Sequence, residues 1–111
     1  MIFFDCEVFA YDWLVVTFDG NDFTYIENDR ELLQQYYNEH KNDLWIGYNC
    51  KGYDQYIIKS ILLGINPKVV NDYIIRDGNA GWQFSNDFKT IKLNIMIVWC
   101  LGKALNNLKV I

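Results

Sequence analysis

Proline is almost missing from this chain, with one in 111 residues, and glycine is held to seven. Composition of this kind excludes a collagen-like, linker or low-complexity polypeptide. Positive charge is also short. Ten Lys and Arg stand against fourteen Asp and Glu, for a net charge of −4 and a pI near 4.7. A broad electrostatic grip on nucleic acid needs a basic face, which this balance does not provide. It leaves room for a metal site, a local contact to one strand end, or a basic partner. No apolar run approaches the roughly 18 residues of a membrane span. The opening Met1-Ile2-Phe3-Phe4-Asp5-Cys6-Glu7 meets an acid too early for an export signal. The three cysteines, Cys6, Cys50 and Cys100, are odd in number and lack zinc-ligand spacing. They are expected to be reduced thiols in a cytoplasmic protein. The single histidine, His40, falls at the end of an expected helix, where the helix dipole suits an imidazolium.

What the chain does have is apolar mass: 51% hydrophobic and 17% aromatic residues, enough to bury a core and exclude disorder. The length suits one domain, taken here as residues 1–111. Residues 2–9 and Tyr11 to Phe18 have strand composition, Asp19-Gly20-Asn21-Asp22 is turn chemistry, and Phe23 to Ile26 returns as a third strand. Asn28 is a capping residue with Glu31 three positions on, opening a helix whose apolar stripe is Leu32, Leu33, Tyr36, Tyr37 and His40. Leu44 to Asn49 reads as a strand and Cys50-Lys51-Gly52 as a short loop. Tyr53 to Leu63 is a second helix with Ile57, Ile58, Ile61 and Leu62 inward, ended by Gly64 and Pro67. Residues 67–75 fit either a helical turn or a strand. Ser85-Asn86-Asp87 between two apolar stretches signals a hairpin, and Ile95 to Leu101 is continuously apolar. Three strands followed by an α-β alternation predict an α/β domain: a mixed sheet with flanking helices.

Two segments could carry chemistry. Asp5 and Glu7 lie two apart on a strand and so share a face, with Cys6 on the other. Adjacent carboxylates repel, and a proton, a cation or an arginine must neutralise them unless both are simply solvated. A hard divalent ion with oxygen ligands is one answer. The second segment is Trp45-Ile46-Gly47-Tyr48-Asn49-Cys50-Lys51-Gly52-Tyr53-Asp54, a buried strand breaking into a helix start. Asp54 sits in the first helical turn, where a carboxylate is favoured. Sites in open α/β sheets gather where strands run into helices. If the two strands are neighbours, Asp54 approaches Asp5 and Glu7. Tyr48, on a strand of apolar neighbours, is expected in the core, and Lys51 in solvent.

Asp5-Cys6-Glu7 after one apolar strand, then Asn49-x-x-x-Tyr53-Asp54 after another, resembles the 3′–5′ proofreading exonuclease domain of family B and related phage DNA polymerases. That domain is RNase H-like and of the DEDD type. The likeness runs from Met1 to about Leu63, with a weaker echo in Gly102 to Lys109. It implies a site with two Mg²⁺ or Mn²⁺ ions about 3.5–4 Å apart. Asp5 would bridge the ions, Glu7 would hold one and orient the attacking water, and Asp54 would bind the second. Asn49 and Tyr53 would touch the terminal nucleotides of a single-stranded DNA 3′ end. Cleavage would be blind to sequence, because the ions address phosphate.

The family also needs a fourth acid, in a Tyr-x-x-x-Asp motif on a helix after the sheet, which the resemblance places beyond Ile111. Tyr73-Ile74-Ile75-Arg76-Asp77 has the spacing, but its β-branched residues and following glycines read as strand and turn. The expected function is a remnant or stand-alone exonuclease-like domain with little or no nuclease activity. The alternative is a non-catalytic phage-type protein that binds and inhibits a host nucleic-acid enzyme, as an anti-CRISPR or anti-restriction protein does. The apolar run 95–101 adds an expected homodimer contact.

Overall fold

Alternation of buried and exposed residues along Ile2–Val8 sets the first strand, β1, of the computed structural model, which describes residues 1–98. Ile2, Phe4 and Cys6 are buried on one face; Asp5 and Glu7 are exposed on the other. β2 (Trp13–Phe18) returns antiparallel, placing Val15 opposite Cys6 and Val16 opposite Asp5. β3 (Phe23–Glu27) pairs antiparallel with β2. The turn between them is held by the Asp19 carboxylate, which accepts from the backbone N–H groups of Asn21 and Asp22.

α1 (Arg30–His40) starts one residue later than the capping pattern indicates. Asp29 is the cap, accepting from the Leu32 N–H at 3.0 Å, while Asn28 adopts a left-handed φ of 51°. The Asn28 side chain instead ties back to the first hairpin, accepting from the Trp13 N–H and donating to Asp12. β4 (Leu44–Gly47) pairs parallel with β1, and β5 (Asn94–Ile97) parallel with β4. The sheet order is β3-β2-β1-β4-β5, mixed and five-stranded, with β1 at the centre and β4 beside it.

α2 (Gln55–Leu62) buries Ile57, Ile58, Ile61 and Leu62, as its periodicity predicts, and Gly64 closes it at φ 78°. Arg30 donates to the Leu62 carbonyl at 2.8 Å and so caps α2 from α1. Both helices cover the Ile2-Phe4-Cys6 face, where Leu33, Trp45, Val15, Ile26 and Val70 complete one core. No helix among the described residues is long and apolar enough to cross a membrane.

Several local expectations are corrected. Residues 67–75 resolve into a short helix, α3 (Pro67–Asn71), continued by a wide π turn over Asp72–Arg76. Tyr73 and Ile75 are therefore helical rather than extended. Pro67 presets the first turn and Asn66 caps it, accepting from the Lys68 N–H. The hairpin expected around Ser85-Asn86-Asp87 is instead two 3₁₀ turns, Gly81–Gln83 and Asn86–Thr90. Ser85 accepts from the Asp87 N–H and starts the second turn; Phe88 then drops into the core. Of the apolar run 95–101, residues 99–101 lie outside the described residues, as does the tail 102–109. The described part forms β5.

Candidate functional site

β4 accompanies β1 only as far as the pairing of Phe3 with Ile46. Past Gly47 the chain leaves the sheet through Tyr48 and Asn49 and winds into a π turn, Cys50–Asp54, rather than the short loop expected there. The Asn49 carbonyl starts this turn by accepting from the N–H groups of both Tyr53 and Asp54, at 2.9 and 3.3 Å. Wide turns of this type are uncommon and recur at functional sites. Departure of β4 leaves the Cys6 N–H without a neighbouring strand on that side. Asp54 fills the gap: its Oδ1 accepts from Cys6 N at 3.2 Å. The carboxylate of Asp54 is thus seated on the β1 backbone between Asp5 and Glu7.

The electrostatics agree with this placement. Asp54 is 4% exposed, and burial together with the charge of Asp5 pushes its carboxyl up to about 6, although the N–H donors oppose the shift. The Cys6 thiol is raised well above its ordinary value by burial, and then by Asp54, Asp5 and Glu7. Tyr53 is raised by burial and by Cys6 and the same three acids. All three carboxylates therefore act on one small region. Asp5 and Glu7 reach it from the solvent side and Asp54 from the protein side.

Oxygen-only side chains with a surplus of negative charge suit a hard divalent ion, which would offset both the burial and the Asp5 charge that raise the Asp54 carboxyl. Among the described residues no three His, Cys, Asp or Glu side chains already close on a point as a metal cage does. Binding would require the exposed Asp5 and Glu7 side chains to turn toward the fixed Asp54.

The residues expected to contact nucleotides fare differently. Asn49 is exposed beside the acids, its side chain lying over Gly52. Tyr53 is half-buried, and its hydroxyl donates to Asn71 Oδ1 at 2.5 Å. Tyr48, expected in the core, is 84% exposed, because it follows the last sheet residue. Lys51 is exposed as expected. Asp77 is paired with Arg76 at 3.0 Å, and Asp72 with Lys68 at 2.8 Å. His40 bonds Asp43 at 2.9 Å and packs on Tyr36. Asn71 and the Cys6 N–H went unnoticed in the sequence, since each acts across a contact between distant segments. On the second face of the sheet, a groove of about 390 Å³ opens beside Asp5, lined by Phe3, Phe18, Phe23, Ile46 and Tyr48 among others.

Compared with protein-family models, with curated proteins and with solved structures, the chain matches none.

Proposed function

We propose that the chain is an exonuclease-like domain of RNase H-like type, with a partial site for Mg²⁺ or Mn²⁺ at Asp5, Glu7 and Asp54 and little or no nuclease activity. One observation carries this reading: the Asp54 carboxylate is held on β1 between the two strand acids by the Cys6 N–H. Asp54 of the second motif is thereby bonded to the strand that carries Asp5 and Glu7.

A divalent ion bound there would supply the charge that activates water and steadies a leaving oxygen at a phosphodiester. The residues have separable duties. Cys6 N–H fixes one oxygen of Asp54 and so its direction. Burial and the charge of Asp5 push the Asp54 carboxyl up to about 6, so Asp54 carries its own negative charge mainly above that pH. Asp5 and Glu7, exposed, would close on the ion and meet the 3′ end of single-stranded DNA, with Asn49 at the margin. Asp77 of the Tyr73-x-x-x-Asp77 motif, the candidate for the fourth acid, is engaged by Arg76. Loss of one ion ligand in such a centre removes most of the rate.

The test is calorimetric titration of Mn²⁺ at pH 7.5 into the native protein and Asp5→Asn, with a Mg²⁺-dependent trimming assay on single-stranded DNA. The expected result is weak binding that drops at least about tenfold in Asp5→Asn, and no trimming. Equal affinities would remove the cation site. Robust trimming that is lost in Asp5→Ala would overturn the claim of low activity.

A second reading is favoured by the exposed acids and the adjoining apolar groove. It is a non-catalytic protein that docks on the basic cleft of a host nucleic-acid enzyme, as an anti-CRISPR or anti-restriction protein would. An Asp5→Asn protein with unaltered Mn²⁺ affinity would favour it. A homodimer through residues 95–101 is a further proposal, supported by the place of β5 at an edge of the described sheet.

A further inference from the structure

The two π turns, Cys50–Asp54 and Asp72–Arg76, are joined by one short bond, from the Tyr53 hydroxyl to Asn71 Oδ1. Asn71 is the last residue of α3 and leads into the second turn. Its own amide is fixed, since Nδ2 donates to Asp72 Oδ1 at 3.2 Å. Asp72 is in turn held by Lys68 at 2.8 Å and approached by Arg76 at 3.8 Å. A line of polar contacts therefore runs from two cations, through Asp72 and Asn71, to the ring that immediately precedes Asp54. Asp54 itself is tied to β1 at its carboxylate. The turn carrying it is thus pinned at two places, by Cys6 and by Asn71.

We infer that Asn71 is a positioning residue for the acid site, acting through Tyr53 on the turn that presents Asp54, and that Tyr53 serves the site as an anchored ring rather than as a free hydroxyl. This rests on the proposal that Asp5, Glu7 and Asp54 take a divalent ion. Two arguments support it. A phenol with its proton committed to an amide oxygen has no hydroxyl hydrogen left for a phosphate. And an α-helix would give its residues different directions from a wide turn, so the turn's geometry needs an external hold, which Tyr53 and Asn71 provide across 18 positions of sequence.

The experiment compares Mn²⁺ affinity by calorimetry in the native protein, Tyr53→Phe, Asn71→Leu, the double variant, Asn71→Asp and Asp5→Asn. Far-ultraviolet circular dichroism and thermal midpoint monitor the fold. Each of Tyr53→Phe and Asn71→Leu is expected to lower affinity by roughly tenfold, the low end for outer partners of a metal site. The double variant should lose no more than either single one, and Asn71→Asp, which keeps the acceptor oxygen, should recover most of the loss. The ¹³Cζ resonance of Tyr53 should shift in Asn71→Leu and stay near native in Asn71→Asp. Native affinity in both folded single variants, with Asp5→Asn impaired, would overturn the role of Asn71 and leave the acid site standing. Additive losses in the double variant would overturn it too, by making the residues independent. If Asp5→Asn binds Mn²⁺ like the native protein, the acid site falls and this inference with it.

Discussion

The two halves of β1 live in different surroundings. At Ile2 and Phe3 the strand is paired with β4, β2 joins on the other side from Phe3 onward, and the inward side chains meet Trp45 and the helices. From Asp5 to Glu7 it keeps β2 but has lost β4. The first half spends its backbone donors on a regular ladder. The second has one left over, and a buried carboxylate takes it. The early end of a neighbouring strand frees a donor inside the protein and lets an acid from the following turn sit where water cannot easily reach. The same seven residues thus build a regular ladder at one end and a seat for a carboxylate at the other.

Removing the partner of the first half should have the largest effect. Trp45 is fully buried, edge-on to Phe4 at 5.3 Å and Tyr36 at 5.9 Å, and its indole donates to the His40 carbonyl. Trp45→Ala is expected to cost about 3–5 kcal/mol in urea unfolding. A loss below about 1 kcal/mol would mean the paired half is not the stabilising one.

Next in size is the hinge between the halves. A Cβ at Gly47 would lie 3.0 Å from the Phe4 carbonyl oxygen and 3.2 Å from Cys50 Cβ, leaving little room where β4 turns away. Gly47→Ala is expected to destabilise by about 1–3 kcal/mol. Through the shifted Cys50–Asp54 turn it should also weaken Mn²⁺ binding more than Trp45→Ala does among molecules still folded. Undisturbed stability would show that the chain can leave the sheet in more than one way.

A further effect separates the halves by pH. Burial, and Asp5, raise Asp54 from 3.8 to about 6 in the folded protein. Between those values the folded state holds a proton that the unfolded chain has released. Stability therefore falls as pH rises through this window and stays lower above it. The urea midpoint of the native protein should decline relative to that of Asp54→Asn between pH 4 and 6.5. Parallel profiles would place the Asp54 carboxyl in water rather than against Cys6.

Much of this was legible in the residues. The alternation Ile2-Phe4-Cys6 against Asp5-Glu7 gave the strand and its acidic face, and the 3.6-residue spacing of Ile57, Ile58, Ile61 and Leu62 gave α2. The order of three strands before the α-β passage predicted a mixed sheet with flanking helices, which the fold shows. What escaped was local geometry decided by tertiary contacts. β-branched residues in Tyr73-Ile74-Ile75 suggested a strand, yet the cap at Asn66 and the Lys68–Asp72 pair hold that segment helical. Ser85 looked like a hairpin residue and is a cap, because Phe88 is drawn into the core one turn later. Tyr48 looked interior by its neighbours, but the strand stops one residue before it. The meeting of Asp54 with Cys6 N–H needed the point at which β4 peels away, and no spacing along the chain encodes that point.

Cys6 and Cys50, both buried and free, bracket this opening in the sheet. The Sγ of Cys6 faces the Asp54 carbonyl, and that of Cys50 faces those of Gly47 and Met96. Burial is the main force raising both thiols above their ordinary values, so at neutral pH neither supplies much thiolate to an alkylating reagent. Labelling must therefore wait for the protein to open there. Among the described residues these thiols are two intrinsic clocks, one on β1 and one on the turn, whose labelling rates report the free energy of local opening. If the acids are drawn together by a divalent ion, both clocks should slow in step. If only the turn moves, Cys50 will run ahead of Cys6.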